Sequence, residues 1–242
     1  MKPKNFFNLF GRSLSDLYKN PIMIVLSVLL GLFLFVISKF GSMLAPSFQT
    51  TISNVIWTIV AGLVSLVLAS YFFAGLIGVA KKTKEKAKWK DFTSNANRFW
   101  FKNFLIILFI VLTSIIIGRI AHYGAFLIGQ AFNLSVNIAM LLFVLIYLAG
   151  LIGVLIFLTF SSFFLVIDGL TAKEAIKKST RFVKKNYFGT LLVLIIFSVI
   201  YFLVGKIEGL LGDVIVYVFV LPYFVLVMAR FVLSVNLKES KR

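Results

Sequence analysis

Six long runs of apolar residues leave this chain few folds to choose from. They lie at Pro21–Lys39, about Ser53–Ala80, about Phe104–Ile117, about Ile138–Ile167, Tyr187–Gly205 and about Val214–Val235. The interior of the first, Ile22 to Ser38, carries no charge. The third is short before Arg119 and can continue obliquely through Ala121, whereas the fourth is long enough to imply tilt or a protruding end. About 20 apolar residues cross a bilayer as a helix, and hydrocarbon offers no hydrogen-bond partner to an exposed backbone. A membrane barrel needs polarity that alternates every second residue, and these runs are apolar all round. The pattern predicts an all-α, polytopic membrane protein with six transmembrane helices. Pro222, midway along the sixth run, removes one ladder hydrogen bond and predicts a kink there.

The composition agrees. Of 242 residues, 61% are hydrophobic and 14% charged, against about 45–50% and about 25% in soluble domains. A stand-alone soluble enzyme, a disulfide scaffold and a disordered tail are excluded, and residues 1–242 read as a single membrane domain. There is no cysteine, so disulfides, thiolate metal sites and cysteine nucleophiles are impossible. The single histidine, His122, cannot build a multi-histidine metal site. With Arg119, Tyr123 and Gln130 around it, it forms no nucleophile, base and orienter set. No cofactor is expected, and His122 reads as a residue of an interfacial segment outside the cytoplasm. No A-x-A site follows the first run, and the basic stretch before it is long and patterned, so that run reads as an uncleaved helix.

The net charge of +17 is placed unevenly. Lys and Arg cluster before the first run, between the second and third, between the fourth and fifth, and after the sixth. With Arg230, near the end of the sixth run, these positions hold 22 cations, and the opposite side holds three, Lys39, Arg119 and Lys206. The excess of positive charge on cytoplasmic loops predicts a multi-pass protein of the cell membrane with both termini and both basic loops in the cytoplasm. Anionic headgroups attract such cations by about 1 kcal/mol per Lys or Arg. Membrane lipids are therefore the expected partners, alongside a membrane or cytoplasmic protein, and nucleic acid is not.

Three runs begin alike. Lys19-Asn20, Lys102-Asn103 and Lys185-Asn186 recur at an interval of 83 residues, in the contexts SDLYKN, RFWFKN and RFVKKN. At the same offset Arg98 matches Arg181, Phe99 matches Phe182, and Asp91 matches Glu174. Tyr71-Phe72-Phe73 echoes Ser162-Phe163-Phe164 in the even-numbered runs. These matches predict three tandem units, about 1–85, 86–168 and 169–242, each an amphipathic segment followed by a helical hairpin.

Each amphipathic segment follows the 3.6-residue period. In the first, Phe6, Phe10, Leu14 and Leu17 oppose Asn8, Arg12, Ser15, Asp16 and Lys19. In the second, Trp89, Phe92, Ala96 and Phe99 oppose Lys90, Asn95 and Arg98. In the third, Ile176, Ser179 and Val183 oppose Lys173, Lys177, Arg181 and Lys184, after a capping box at Thr171 and Glu174. A basic face with aromatic anchors suits a helix whose apolar stripe dips into the acyl boundary. Arg12, Lys19, Trp89, Lys90, Arg98, Lys102, Lys173, Lys177, Arg181, Lys184 and Lys185 are thus the candidate contacts with anionic lipid or a partner. No catalytic, cofactor or metal residue is nominated.

Ionisable residues inside the runs are few. Lys39, Arg119 and Lys206 read as outer helix ends that can snorkel, with Glu208 and Asp213 on the same side and able to pair with them. Asp168 reads as part of the turn Asp168-Gly169. Gly62 and Gly75 are expected to let helices approach closely.

The segment Asp168-Gly169, Thr171, Glu174-Ala175, Ser179, then Lys185-Asn186, together with Leu17, Lys19, Asn20 and Pro21, resembles a known pattern. It is similar to the six-helix membrane domain ahead of some glycerophosphoryl diester phosphodiesterases and to related stand-alone prokaryotic membrane proteins. The resemblance covers nearly the whole chain and implies the same six-helix fold. The 242 residues hold no phosphodiesterase catalytic domain, so that activity is not carried over. The function expected is non-catalytic, acting in the lipid phase by binding or distributing lipid or by scaffolding a membrane complex. The alternative is a transport permease, such as the membrane subunit of an ATP-driven exporter. For the orientation, single cysteines at Lys86 and Lys178 should resist a membrane-impermeant maleimide applied to intact cells and react once the cells are opened. Labelling from outside would invert the topology.

Overall fold

The computed structural model describes residues 3–44, 51–82, 86–207 and 210–239, with side chains over 8–40, 55–82, 86–207 and 210–235. The described residues form helices α1 (Pro3–Lys19), α2 (Ile22–Leu44), α3 (Thr51–Ala80), α4 (Trp89–Ala131), α5 (Val136–Leu158), α6 (Ser161–Ile167), α7 (Ala172–Lys185), α8 (Tyr187–Val204), α9 (Leu210–Ile215) and α10 (Leu221–Glu239). Six helical stretches are long and apolar enough to cross a membrane: Ile22–Phe40, Val55–Ala80, Trp89–Ala131, Val136–Ile167, Tyr187–Val204 and Leu210–Val235. This is the architecture of a multi-pass membrane protein.

Three elements depart from the sequence reading. The second amphipathic segment and the third span are not separate. They form one helix of 43 residues, about 65 Å long at 1.5 Å per residue and roughly twice the thickness of a hydrocarbon core. No glycine or proline interrupts it before Gly118. Asn103 does not break it either, because its Nδ2 donates across to the Ser70 carbonyl on α3 at 3.0 Å. The fourth run is divided by a turn at Thr159–Phe160 into α5 and α6. At Pro222 the helix adapts by widening: Val216–Val220 form a π-helical turn, and the Leu221 N–H donates to the Val216 carbonyl, five residues back.

Asn20 and Asn186 do mark breaks. Each amide donates to the carbonyl four residues back, Asp16 at 3.2 Å and Phe182 at 3.1 Å, closing the ends of α1 and α7. Pro21 enforces the first break by biasing Asn20 away from helical geometry.

The core lies at one end of the bundle, the end where the basic segments meet. Its buried residues come from the first half of α2, from Ser70–Ala80 of α3, from Phe92–Ile106 of α4, and from α6 and Val225–Val232 of α10. Elsewhere α2, α3, α4 and α5 expose most of their large apolar side chains. All seven residues of α6 are buried, with α3, α4, α7 and α10 packed around it. Phe73 meets Phe163 edge-on at 5.7 Å, so the two matching aromatic triplets pack against each other. Glycine permits the α3–α4 contact at Gly75, where a Cβ would collide with the Phe92 ring; Gly62, by contrast, faces open space.

Much of each amphipathic stripe packs against protein. On α4, Phe92, Ala96 and Phe99 are buried against α3. On α7, Ala175, Ser179, Phe182 and Val183 are buried. On α1 the stripe is rotated from the one read in the sequence. Leu9, Ser13, Asp16 and Leu17 are buried while Leu14 is 46% exposed, and the Phe6 side chain lies outside the described residues. The cause is on α10. Asp16, assigned from sequence to the polar face, is buried and forms an ion pair with Arg230 through its Nε and guanidinium NH2. Nearly two turns earlier the Tyr223 hydroxyl donates to the Phe10 carbonyl at 3.2 Å, and Phe10 stacks on Phe197 of α8. α1 therefore runs alongside α10.

A buried pair deprived of one partner leaves an uncompensated charge, at a cost of about 3–5 kcal/mol. Asp16→Asn or Arg230→Gln alone should lower stability by about that amount in denaturant unfolding of the detergent-solubilised protein. The double variant should lose clearly less than the sum of the two.

Candidate functional site

Helix α7 begins where the sequence places it. Gly169 takes a left-handed φ of +69°, which glycine adopts without steric cost, and the chain turns from α6. Asp168 receives Lys178 at 2.8 Å across this turn. The capping box forms: the Thr171 N–H and hydroxyl both donate to Glu174 Oε2, at 3.0 and 2.8 Å, and the Glu174 N–H donates to Thr171 Oγ1 at 3.4 Å. Those bonds from Thr171 hold the Glu174 carboxyl below the usual carboxylate range. On the inner face, Ser179 Oγ donates to the Phe157 carbonyl at 2.6 Å. That carbonyl belongs to the last turn of α5, where the helix leaves it unpaired.

The outer face of α7 lines a cleft of about 480 Å³. Lys177, Lys178, Arg181 and Lys185 supply cations, and Phe164, Leu170 and Phe182 supply an apolar floor. Glu174 also lines it, but its carboxylate is taken up by Thr171. Lys178 is taken up by Asp168 and sits 5.1 Å from the centre of the Phe164 ring. Lys177 and Arg181 are both exposed and carry no ion pair among the described residues. The cleft thus presents positive charge beside a hydrophobic wall, the chemistry that accepts a phosphate attached to something apolar.

Of the sequence candidates, Lys177, Arg181 and Lys185 meet in this cleft; Lys173 and Lys184, on the same helix, do not line it. Arg12 and Lys19 are exposed on α1, and Lys90 and Lys102 on α4. Trp89 is half exposed with its ring against Phe92 at 5.6 Å, and Arg98 lies 5.1 Å from the Phe99 ring. None of these joins the cleft. Sequence reasoning missed Lys178, which follows Lys177 around the helix, and the structural cations Lys81 and Lys82. Lys81 Nζ donates to the Ile167 carbonyl at 2.6 Å, capping α6. Lys82 pairs with Asp91 at 2.7 Å.

At the other end, Arg119 does not sit at a helix terminus, because α4 continues twelve residues further to Ala131. Asp213 makes no ion pair among the described residues, and Glu208 lies outside them. Lys206 lies over the Phe202 ring at 5.1 Å.

Asp91, like Glu174, is held below the usual carboxylate range, first by the hydrogen bond from Lys82 and then by the Lys88 N–H. A depressed folded pKa contributes stability above the unfolded carboxylate value, about 4, which is lost as pH falls through the folded value. Nuclear magnetic resonance titration should find each carboxyl ionising below the ordinary value for its residue type. Lys82→Met should raise the Asp91 midpoint and leave that of Glu174 unchanged.

No curated protein and no solved structure matches the chain. A family model described as a domain of unknown function, DUF7847, matches residues 7–237. The match spans both the buried core and the basic cleft, and the chain belongs to that family.

Proposed function

We propose that the protein is a non-catalytic integral membrane protein that binds anionic phospholipid headgroups in the α7 cleft, on the cytoplasmic side of the cell membrane. The observation that carries this reading is the cleft itself. Lys177 and Arg181 have no acidic partner among the described residues, and they stand with Lys185 over the apolar floor of Phe164 and Leu170. A headgroup phosphate would meet the cations while the adjoining glycerol lies against Leu170, the partly exposed apolar residue of the cleft. The cytoplasmic placement follows from the 22 cations gathered on one side.

The three basic amphipathic segments would then be the recurring parts of three tandem hairpin units. In this reading two of them, α1 and the start of α4, serve to orient the spans, and the third is adapted to hold lipid. Kinship with the membrane domains ahead of glycerophosphoryl diester phosphodiesterases is part of the same proposal, on the strength of the Asp168–Ser179 segment.

The test uses the full chain in mild detergent, with phosphatidylglycerol or phosphatidylcholine added, and counts bound lipid by native mass spectrometry. Phosphatidylglycerol should be retained in preference. Replacing Lys177, Arg181 and Lys185 together with Gln should weaken its retention at least about tenfold, at about 1 kcal/mol per cation. Equal retention of the two lipids, or an unchanged triple variant, would overturn the proposal.

A further inference from the structure

The distal parts of α4 and α5 hold a second place where a cation stands beside apolar walls. Gly118 lies against Tyr147, Gly150 receives Ile117, and Gly129 receives Ala139, so the two helices pack antiparallel along this length. Between them runs an open groove of about 600 Å³, within the range of small-molecule sites. Its walls include Ile110, Val111 and Ile115 of α4 and Phe143 and Tyr147 of α5, whose rings stack at 5.9 Å. At one end stand Arg119 and His122, three residues apart on one helical face, with the His122 ring 6.0 Å from Phe143. No acidic side chain lines the groove, and neither Arg119 nor His122 has a hydrogen bond or ion pair among the described residues.

Arg119 is flanked by exposed Ile115, Ile116 and Ile120. It lies seventeen residues beyond Lys102, about 26 Å at 1.5 Å per residue, on a helix longer than the hydrocarbon core is thick, which puts it near the level of the far headgroups. A guanidinium there, with no carboxylate partner among the described residues, is open to a headgroup phosphate. The apolar track from Arg119 back to Ile110 covers about 13 Å of helix and leads towards the basic end of the bundle.

We infer that the α4–α5 groove is a phospholipid site. The lipid phosphate is held by Arg119 with His122 beside it, and an acyl chain lies along Ile115 to Ile110 against Phe143 and Tyr147. The polarity of the groove, with Arg119 and His122 distal and the apolar track leading back, assigns the lipid to the leaflet opposite the basic end. This site stands on its own residues and does not depend on the α7 cleft.

The full chain, reconstituted in vesicles of phosphatidylcholine with phosphatidylglycerol carrying a photoactivatable group on its acyl chain, provides the test. Illumination and peptide mapping should place label on 110–115 and 143–147. Arg119→Gln with His122→Gln should reduce that label about tenfold, the effect of losing a charge-assisted hydrogen bond. Arg119→Lys should retain most of it, which separates charge from fold. The Lys177, Arg181 and Lys185 variant should label these segments as the parent does. Label absent from them, label unchanged in the double variant, label displaced by millimolar inorganic phosphate, or chain-to-chain cross-links through the groove would each overturn the site. The last outcome would assign the groove to a second copy.

Discussion

Seven consecutive residues of α6 without a solvent-facing side require that other elements close over every face of that helix. α3, α4, α7 and α10 do so, and the bundle is organised by that requirement. The polar ends of α6 and its approach are then met one by one: Lys81 caps the Ile167 carbonyl, and Ser179 meets the last turn of α5 at Phe157. Buried backbone groups that lack a partner are expensive where water cannot reach. The two cross-helix bonds therefore fix which face α7 turns inward, and so which face forms the cleft. Ala87, just before α4, adds a third tie by donating its N–H to Asn20 Oδ1 at 2.9 Å, which holds the first basic loop to the α1–α2 turn.

The six spans were legible because they depend on composition summed over about 20 residues, and no local contact can override that sum. The capping box at Thr171 and the Asp168-Gly169 turn were legible because they are local chemistry. The burial of Asp16 was not, because it is decided by Arg230, more than two hundred residues away in the chain. One clue was present: a guanidinium late in an apolar run needs a counter-charge, and Asp16 is a carboxylate that joins an apolar stripe if the helix is rotated slightly. The fusion of the second amphipathic segment with the third span was equally hidden, since Asn103 looks like a helix breaker until Ser70 lies opposite it.

The cations that orient such a chain also serve within it. The chain holds only eight acidic residues. Asp16, Asp91 and Asp168 each engage one cation at the basic end, Arg230, Lys82 and Lys178. What distinguishes Lys177 and Arg181 among the candidates is that they line one cleft and have no acidic partner among the described residues. Counting charge by segment could locate the basic side but could not separate cations already neutralised from those still exposed to a ligand. Only the paired contacts make that division, while the lining of one cleft narrows the eleven candidate residues to three, with Lys178 beside them.

The widened turn at Val216–Val220 has a consequence for the far end of its helix. An α-helix advances about 100° per residue, so one additional residue in a turn re-phases every side chain that follows. The azimuth of Tyr223 and Arg230 is therefore fixed upstream, where Pro222 obliges the backbone to loosen. In this sense a single missing amide hydrogen steers the guanidinium round to the amino-terminal helix and ties the two extremities of the polypeptide together.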